Sequence, residues 1–503
     1  MPQMDPKGEP EETIRPSIGD EDGGGGAIIL ALTICSAAIG GTFQYGYNIS
    51  IINAPTSYIQ TFINDTYMER WGSGLESSQL TLMWTIIVSA FSLGGLLGAL
   101  LAGPLSFRFG RKNSLLLNNG FLFAGAVLVL TSRVAKSFEM IIFARFLVGV
   151  NSGVSMNVQP MYFGESAPKH LRGAVAFSSA VFTAFGIFLG QVVGLSEVMG
   201  AQHLWPYLLA SNALPGLIQL LTLPWFPESP RYLLIDRGDK EACVKALGRL
   251  RGGVAPILEV EEMLEEQEQQ KSAALNSGSS ANKTPWTLFK DAGLRSQLRT
   301  VMAASSAMML CGNDSIYFYA YYIFLAAGIP PQKIQYITIG TGASEFTASI
   351  LSNILIERVD VDTFLLEGVS GILPAEIFDQ SARPAAYMVA GSCMWISLFL
   401  VGMLFPFIVK GLGDFCFLPF FVVCVVSAVF LGLTLPETKG KTLAEITADF
   451  DGRNGKQKEY SDVEMDEPMK EQYQLGKAAS LTNLMLDPDS KPDLESIQPQ
   501  VNV

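Results

Sequence analysis

Two carboxylates interrupt stretches that otherwise read as lipid-buried. Asp314 and Glu345 each stand inside an apolar run. Ionisable groups at that depth are costly and are kept mainly where they serve a function. Burial disfavours the charged form, so either acid can be neutral. That leaves proton relay, or neutral hydrogen bonding to a bound molecule or to each other. Gln191 is a third polar group in such a place, closing the run Gly186-Ile-Phe-Leu-Gly-Gln191. A lone intramembrane amide can tie two helices together. It can also meet a polar ligand, whose buried donors and acceptors each need a partner.

A second set of residues pairs acids with bases at a fixed interval. Glu165, after Pro160-Met-Tyr-Phe-Gly, is followed seven residues later by Arg172, and Glu376, after Pro374-Ala, is followed seven later by Arg383. Pro227-Glu228-Ser-Pro-Arg231 is echoed by Pro436-Glu437-Thr-Lys439, and further basic and acidic groups stand at Arg108, Arg111, Glu357 and Arg358. The repeated spacing points to a duplicated transporter fold. Carboxylates and guanidiniums at helix ends can hold two halves together in one state and release them in another. The plainer reading is positive-inside anchoring.

The elements that must position these groups are membrane helices. Mean hydropathy is +0.31 and only 16% of the 503 residues are charged, against about 25% in soluble chains. A crossing needs about 20 mainly apolar residues. Ten segments qualify: 27–48, 79–103, 114–132, 138–163, 174–195, 204–225, 298–324, 334–356, 385–409 and 415–435. Basic residues cluster after the second, fourth and sixth, which places those connectors in the cytoplasm, although Arg133 and Lys136 dissent on the other side. Both termini are then cytoplasmic. Asn64-Asp-Thr66, between the first two spans, is an external glycosylation sequon. No basic segment followed by an apolar run opens the chain, so the first span is expected to serve as an internal signal-anchor. The net charge of −13 lies largely in the tails and one central loop, which argues against nucleic-acid binding. Five of the six cysteines fall in apolar segments and read as free thiols. His170 and His203 are too sparse for a metal site, no cofactor is implied, and oligomeric state is left open. Gly94-xxx-Gly98 and Gly149-xxx-Gly153 permit close helix approach.

Phe107-Arg-Phe-Gly-Arg-Lys112, Gly164-Glu165 through Arg172-Gly173, Pro227-Glu-Ser-Pro-Arg231 and Pro436-Glu-Thr-Lys-Gly440 resemble the signatures of the sugar-porter branch of the major facilitator transporters. Gln44-Tyr45-Gly-Tyr47-Asn48, Ile51-Ile-Asn-Ala-Pro55 and Leu310-Cys-Gly-Asn-Asp314 are similar to the vertebrate facilitative glucose and fructose transporters, class II, the last most like the eleventh member. The resemblance implies an all-α membrane protein of two helix bundles and a facilitative hexose carrier of the plasma membrane that is not an enzyme. It implies a sugar site including Gln191, Tyr45, Tyr317 and Trp395, with Asp314 and Glu345 beside it. For each aromatic, plain core packing is the alternative. Met308, Met309, Met394 and Leu398 stand where many members carry polar groups. Asn48 replaces the acid of proton-coupled relatives.

The resemblance breaks after Arg358. The ninth span and most of the tenth are absent, so the C-terminal bundle lacks about two spans. Because an even pair is lost, later helices keep their orientation. The expected organisation is a tail at 1–26, a six-helix bundle at 27–227, a cytoplasmic helical loop at 228–296, a shortened bundle at 297–436 and an acidic tail at 437–503. A stub at 364–378 is expected at the interface or packed in the remnant bundle. A competing reading is a non-transporting form that is retained or binds full-length partners; a leak is a third.

Overall fold

The computed structural model describes residues 23–168, 171–253, 256–277, 284–291, 293–355, 373–378, 382–436, 446 and 449–450, which belong to one compact unit. The described residues form helices and no strand.

In the N-terminal half, α1 (Gly23–Ile39) and α2 (Thr42–Ser50) join across Gly40 and Gly41 into the first crossing. After α3 (Thr56–Trp71) come α4 (Ser77–Phe109), α5 (Arg111–Ser132), α6 (Glu139–Ser166) and α7 (Arg172–Val193). The sixth crossing is built from α8 (Trp205–Ala210), α9 (Ala213–Thr222) and a 3-10 turn, Leu223–Trp225. The loop that follows holds α10 (Lys240–Arg251), α11 (Ile257–Ser277) and α12 (Pro285–Lys290). These are the short helices expected there, but α11 continues to Ser277, into residues whose composition reads as linker.

The C-terminal half contains α13 (Arg295–Leu310), α14 (Asn313–Ala326), α15 (Pro331–Leu355), α16 (Leu373–Ile377), α17 (Arg383–Leu412) and α18 (Leu418–Thr434). Among the described residues, seven helical segments are long and apolar enough to cross a bilayer, one of them α17. The other three expected spans differ in form. Segment 298–324 breaks at Gly312, whose φ of +88° only glycine adopts cheaply and whose missing Cβ leaves room for Phe420. Helix α15 carries Lys333 and Glu345 among hydroxyls, and α18 is 17 residues long. The stub is packed rather than interfacial at its described end, since Leu373, Ile377 and Phe378 are buried with Leu298 and Ala386. The C-terminal tail is not wholly polar, because Ile446 and Phe450 are buried in the same cluster. Residues 356–372, which include the predicted join, lie outside the described residues.

Lipid is as apolar as leucine, so packing and polar contacts hold the spans together. Helices α4 and α6 meet backbone to backbone. A Cβ on Gly149 would lie 2.0 Å from the Phe91 carbonyl oxygen, and one on Gly98 2.3 Å from that of Val150. Gly149→Leu is therefore expected to cost about 3 kcal/mol or more and lower the melting temperature in detergent. Gly164→Ala, where a Cβ meets nothing within 4 Å, should leave the melting temperature unchanged or slightly higher. Amide and hydroxyl contacts supplement this packing. Gln159 binds the Thr42 amide, Asn119 donates to Gln219, and Asn212 donates to Asn48. Each such pair contributes on the order of 0.6 kcal/mol.

The halves meet chiefly where α17 packs on α4 and α15 on α7. Helix α4 accepts α17 side chains into glycine notches: Trp395 fills the space over Gly95, and Met388 that over Gly103. At the end marked by Glu139 the halves also touch through polar groups. Gln335 bonds Ser196, and the Tyr336 hydroxyl donates to Glu197 at 2.6 Å. Gln60 donates to the Tyr322 hydroxyl. Lys136, one of the dissenting bases, pairs there with Glu69, and Arg133 donates to the His203 carbonyl.

Candidate functional site

At the opposite end, Arg111 organises the acids. Its Nη2 donates to Glu165 at 2.9 Å, its Nη1 to Asp236 at 2.7 Å, and its plane lies over Tyr232 at 4.9 Å. Ser229 closes the group with a short hydrogen bond to Glu165. Glu228 caps α5, accepting from the Arg111 and Lys112 amides at 3.0 and 2.9 Å. A carboxylate there satisfies orphan donors and meets the positive end of the helix. Gly110 makes this possible: its φ is +89°, and a Cβ would lie 2.5 Å from the Glu228 carboxylate.

The other expected gate residues divide. Arg231 pairs with Glu266 of α11 at 2.8 Å. Arg383, from the C-terminal half, is largely buried, donates to the Phe378 carbonyl and feels the fields of Arg231, Glu266 and Glu165. Arg108 stays outside, stacked over Phe109. The side chains of Arg172 and Glu376 lie outside the described ones, and Glu357, Arg358 and Glu437 lie outside the described residues. Asp236, Ser229 and Glu266 were not foreseen. Asp236 lies on a π-helical turn, Tyr232–Asp236, that aims it at Arg111, and nothing in its spacing marks it.

Burial raises the pKa of Glu228 against the backbone amides and Arg111 that lower it, and raises that of Asp236 against Arg111. Each acid therefore binds its proton more tightly here than in water. The stability linked to them is fully present below the ordinary carboxylate pKa of about 4 and is lost as pH rises through the raised values. Glu228→Gln should accordingly flatten the fall of the melting temperature as pH rises above the ordinary carboxylate range.

Within the membrane region Tyr45, Tyr317 and Trp395 share one hydrophobic cluster, whereas Gln191 and Glu345 lie on α7 and α15, which pack together. Tyr45 stacks on Phe91 with centroids 6.3 Å apart and meets Trp395 edge-on at 5.6 Å. Its hydroxyl reaches the Met309 sulfur at 3.8 Å. Trp395 is fully buried, and its Nε1 finds no partner among the described residues. Gln191 is also buried, and neither atom of its amide has a partner among them. It faces Gly342 of α15, where a Cβ would come within 2.1 Å of its Oε1. Glu345 lies one turn further along α15 and is half-buried. Asp314 and Tyr317 are buried in the first turns of α14, beyond the Gly312 break. Asn64 is helical rather than looped, with its Oδ1 accepting from the Leu75 amide at 2.9 Å.

Arg145 is a further residue that the sequence reading misses. It is buried in α6, donates to the Asn48 carbonyl at 3.0 Å and lies 4.7 Å over Phe91. Its Nε and Nη2 have no partner among the described residues. The reasoning that singled out Asp314 and Glu345 applies equally to an arginine inside the fourth span.

An all-helical pair of halves, polar groups turned inward and a charged network at one end define a multi-pass carrier of the major facilitator type. The family described as "Sugar (and other) transporter" matches residues 33–373 and 363–450, and the chain belongs to it. Human solute carrier family 2, facilitated glucose transporter member 11 is 51% identical over 467 residues, covering 84% of this chain and 93% of that one. Human member 5 is 40% identical over 482 residues, covering 87% and 95%. The fold is shared with the proton:xylose symporter XylE bound to 6-bromo-6-deoxy-D-glucose, at TM-score 0.70, 21% identity and coverage of 84% and 100%. The protein is thus a membrane sugar transporter and not an enzyme.

Proposed function

We propose that this protein carries a hexose, fructose or glucose, down its gradient across the plasma membrane by alternating access. The observation that carries this reading is Gln191. A buried amide with both atoms unpartnered, set between the halves against Gly342, suits a ligand hydroxyl. Tyr45, Trp395 and Tyr317 would supply apolar faces for the sugar ring, with Asp314 and Glu345 as neutral hydrogen-bonding groups. The Arg111 network and Arg383 would form the cytoplasmic gate, and the Ser196–Gln335 and Glu197–Tyr336 contacts would lie outside, with Asn64 glycosylated on that face. The resemblance favours fructose, and the names of the relatives support the substrate class.

We also infer that the C-terminal half is shortened. The alignment with human member 11 spans 467 positions yet takes up only 84% of this chain, leaving roughly 45 that the relative alone fills, enough for two crossings of about 20 each. The family match divides in two at residues 363–373, where the join is predicted.

Uptake of labelled fructose and glucose into proteoliposomes tests the proposal, with the eleventh human member and empty liposomes as controls. Saturable, stereoselective uptake is expected. Its absence from correctly folded protein would leave the non-transporting reading.

A further inference from the structure

The outer surface of the bundle contains a groove lined by none of the residues assigned to the sugar site. Its volume is about 390 Å³, and its walls include Ile86 and Leu93 of α4, Phe143 and Phe146 of α6, and Phe399 and Met403 of α17. Its surface is almost entirely carbon. Ser89 is the polar residue in the lining, and its Oγ lies beside Gly402, where a Cβ would come within 3.1 Å of it. Leu93 and Phe143 are each about half exposed, so the groove opens onto the apolar outer face of membrane-spanning helices. One wall is fixed, because α4 and α6 meet backbone to backbone at Gly94 and Phe146. The other wall belongs to the opposite half.

We propose that this groove is a binding site for one acyl chain of a phospholipid in the leaflet at the Ser77 end of α4. A site that opens into hydrocarbon is filled from the bilayer rather than from water. The lining offers no hydrogen-bonding surface, which fits a methylene chain better than a sterol hydroxyl or a headgroup. Two halves that move against each other change the width of the groove. An occupant that fits one width better therefore shifts the balance between the states. This last consequence rests on the alternating-access reading; the site itself does not.

The test uses the full chain in nanodiscs of phosphatidylcholine carrying a diazirine on one acyl chain, with adducts mapped by peptide mass spectrometry. Labelling of the Phe143–Phe146 and Phe399–Met403 peptides should exceed, several-fold, that of Phe421 and Val426, which face outward on α18. Ala90→Phe, which fills the groove, should remove the excess while leaving the α18 label. Met403→Trp serves if that variant fails to fold. Equal labelling of groove and α18, or an excess that survives both substitutions, would overturn the site. An excess with a diazirine sterol and none with the acyl probe would overturn the acyl assignment. The readout involves no transport, so a failed uptake assay and a failed labelling assay mean different things.

Discussion

Arg111→Leu should destabilise the protein by about 3–5 kcal/mol, because it leaves buried carboxylates without their cation. The Arg111 side chain is 8% exposed, that of Glu165 9% and that of Asp236 18%. Water therefore compensates little for the lost charge. Two nitrogens of one guanidinium serve Glu165, and a third serves Asp236. Lysine cannot reproduce that fork, so Arg111→Lys should recover only part of the loss. Adding Glu165→Gln and Asp236→Asn to the leucine variant should recover more, because the orphaned charges are gone. Thermal unfolding of purified protein in detergent measures all three. A leucine variant that melts with wild type would show that this end is hydrated and the network dispensable.

Gln191→Leu is expected to have its large effect on transport instead. A sugar hydroxyl left unsatisfied in a closed site costs about 1–3 kcal/mol, roughly a ten- to hundredfold loss in uptake efficiency. Stability should be unchanged or slightly higher, because an unpartnered amide has been replaced by carbon. If Gln191 instead ties α7 to α15, melting temperature and uptake would fall together. Measuring both in one preparation separates the roles.

Seven of the ten expected crossings are long apolar helices, legible because hydropathy records burial in lipid directly. The motif acids and bases Arg111, Glu165, Glu228 and Arg231 do gather at one end, whereas the residues that would echo them in the second half lie largely outside the described ones. Geometry between distant segments was less visible. Asp236 reaches Arg111 only because a π turn rotates it, and one helical step would aim it elsewhere. Glu266 sits in the acidic run of α11, where several neighbours look equally able to meet Arg231. Trp395 is buried, as both a site-lining role and plain core packing require, but its seat over Gly95 depends on the register of two helices that sequence does not fix. Arg145 could have been found, because a single arginine in an apolar span is as conspicuous as a single aspartate.

The glycines of α4 divide its surface into a strip that meets main chain and a strip that meets side chains. Gly94 and Gly98 lock the helix to α6 through main-chain contact, which has no slack. Gly95 and Gly103 instead receive the side chains of Trp395 and Met388 from the opposite half. Substitutions on the first strip should therefore strain the N-terminal half itself, and those on the second the seam between the halves. One helix thus carries two mutational signatures, interleaved a residue apart.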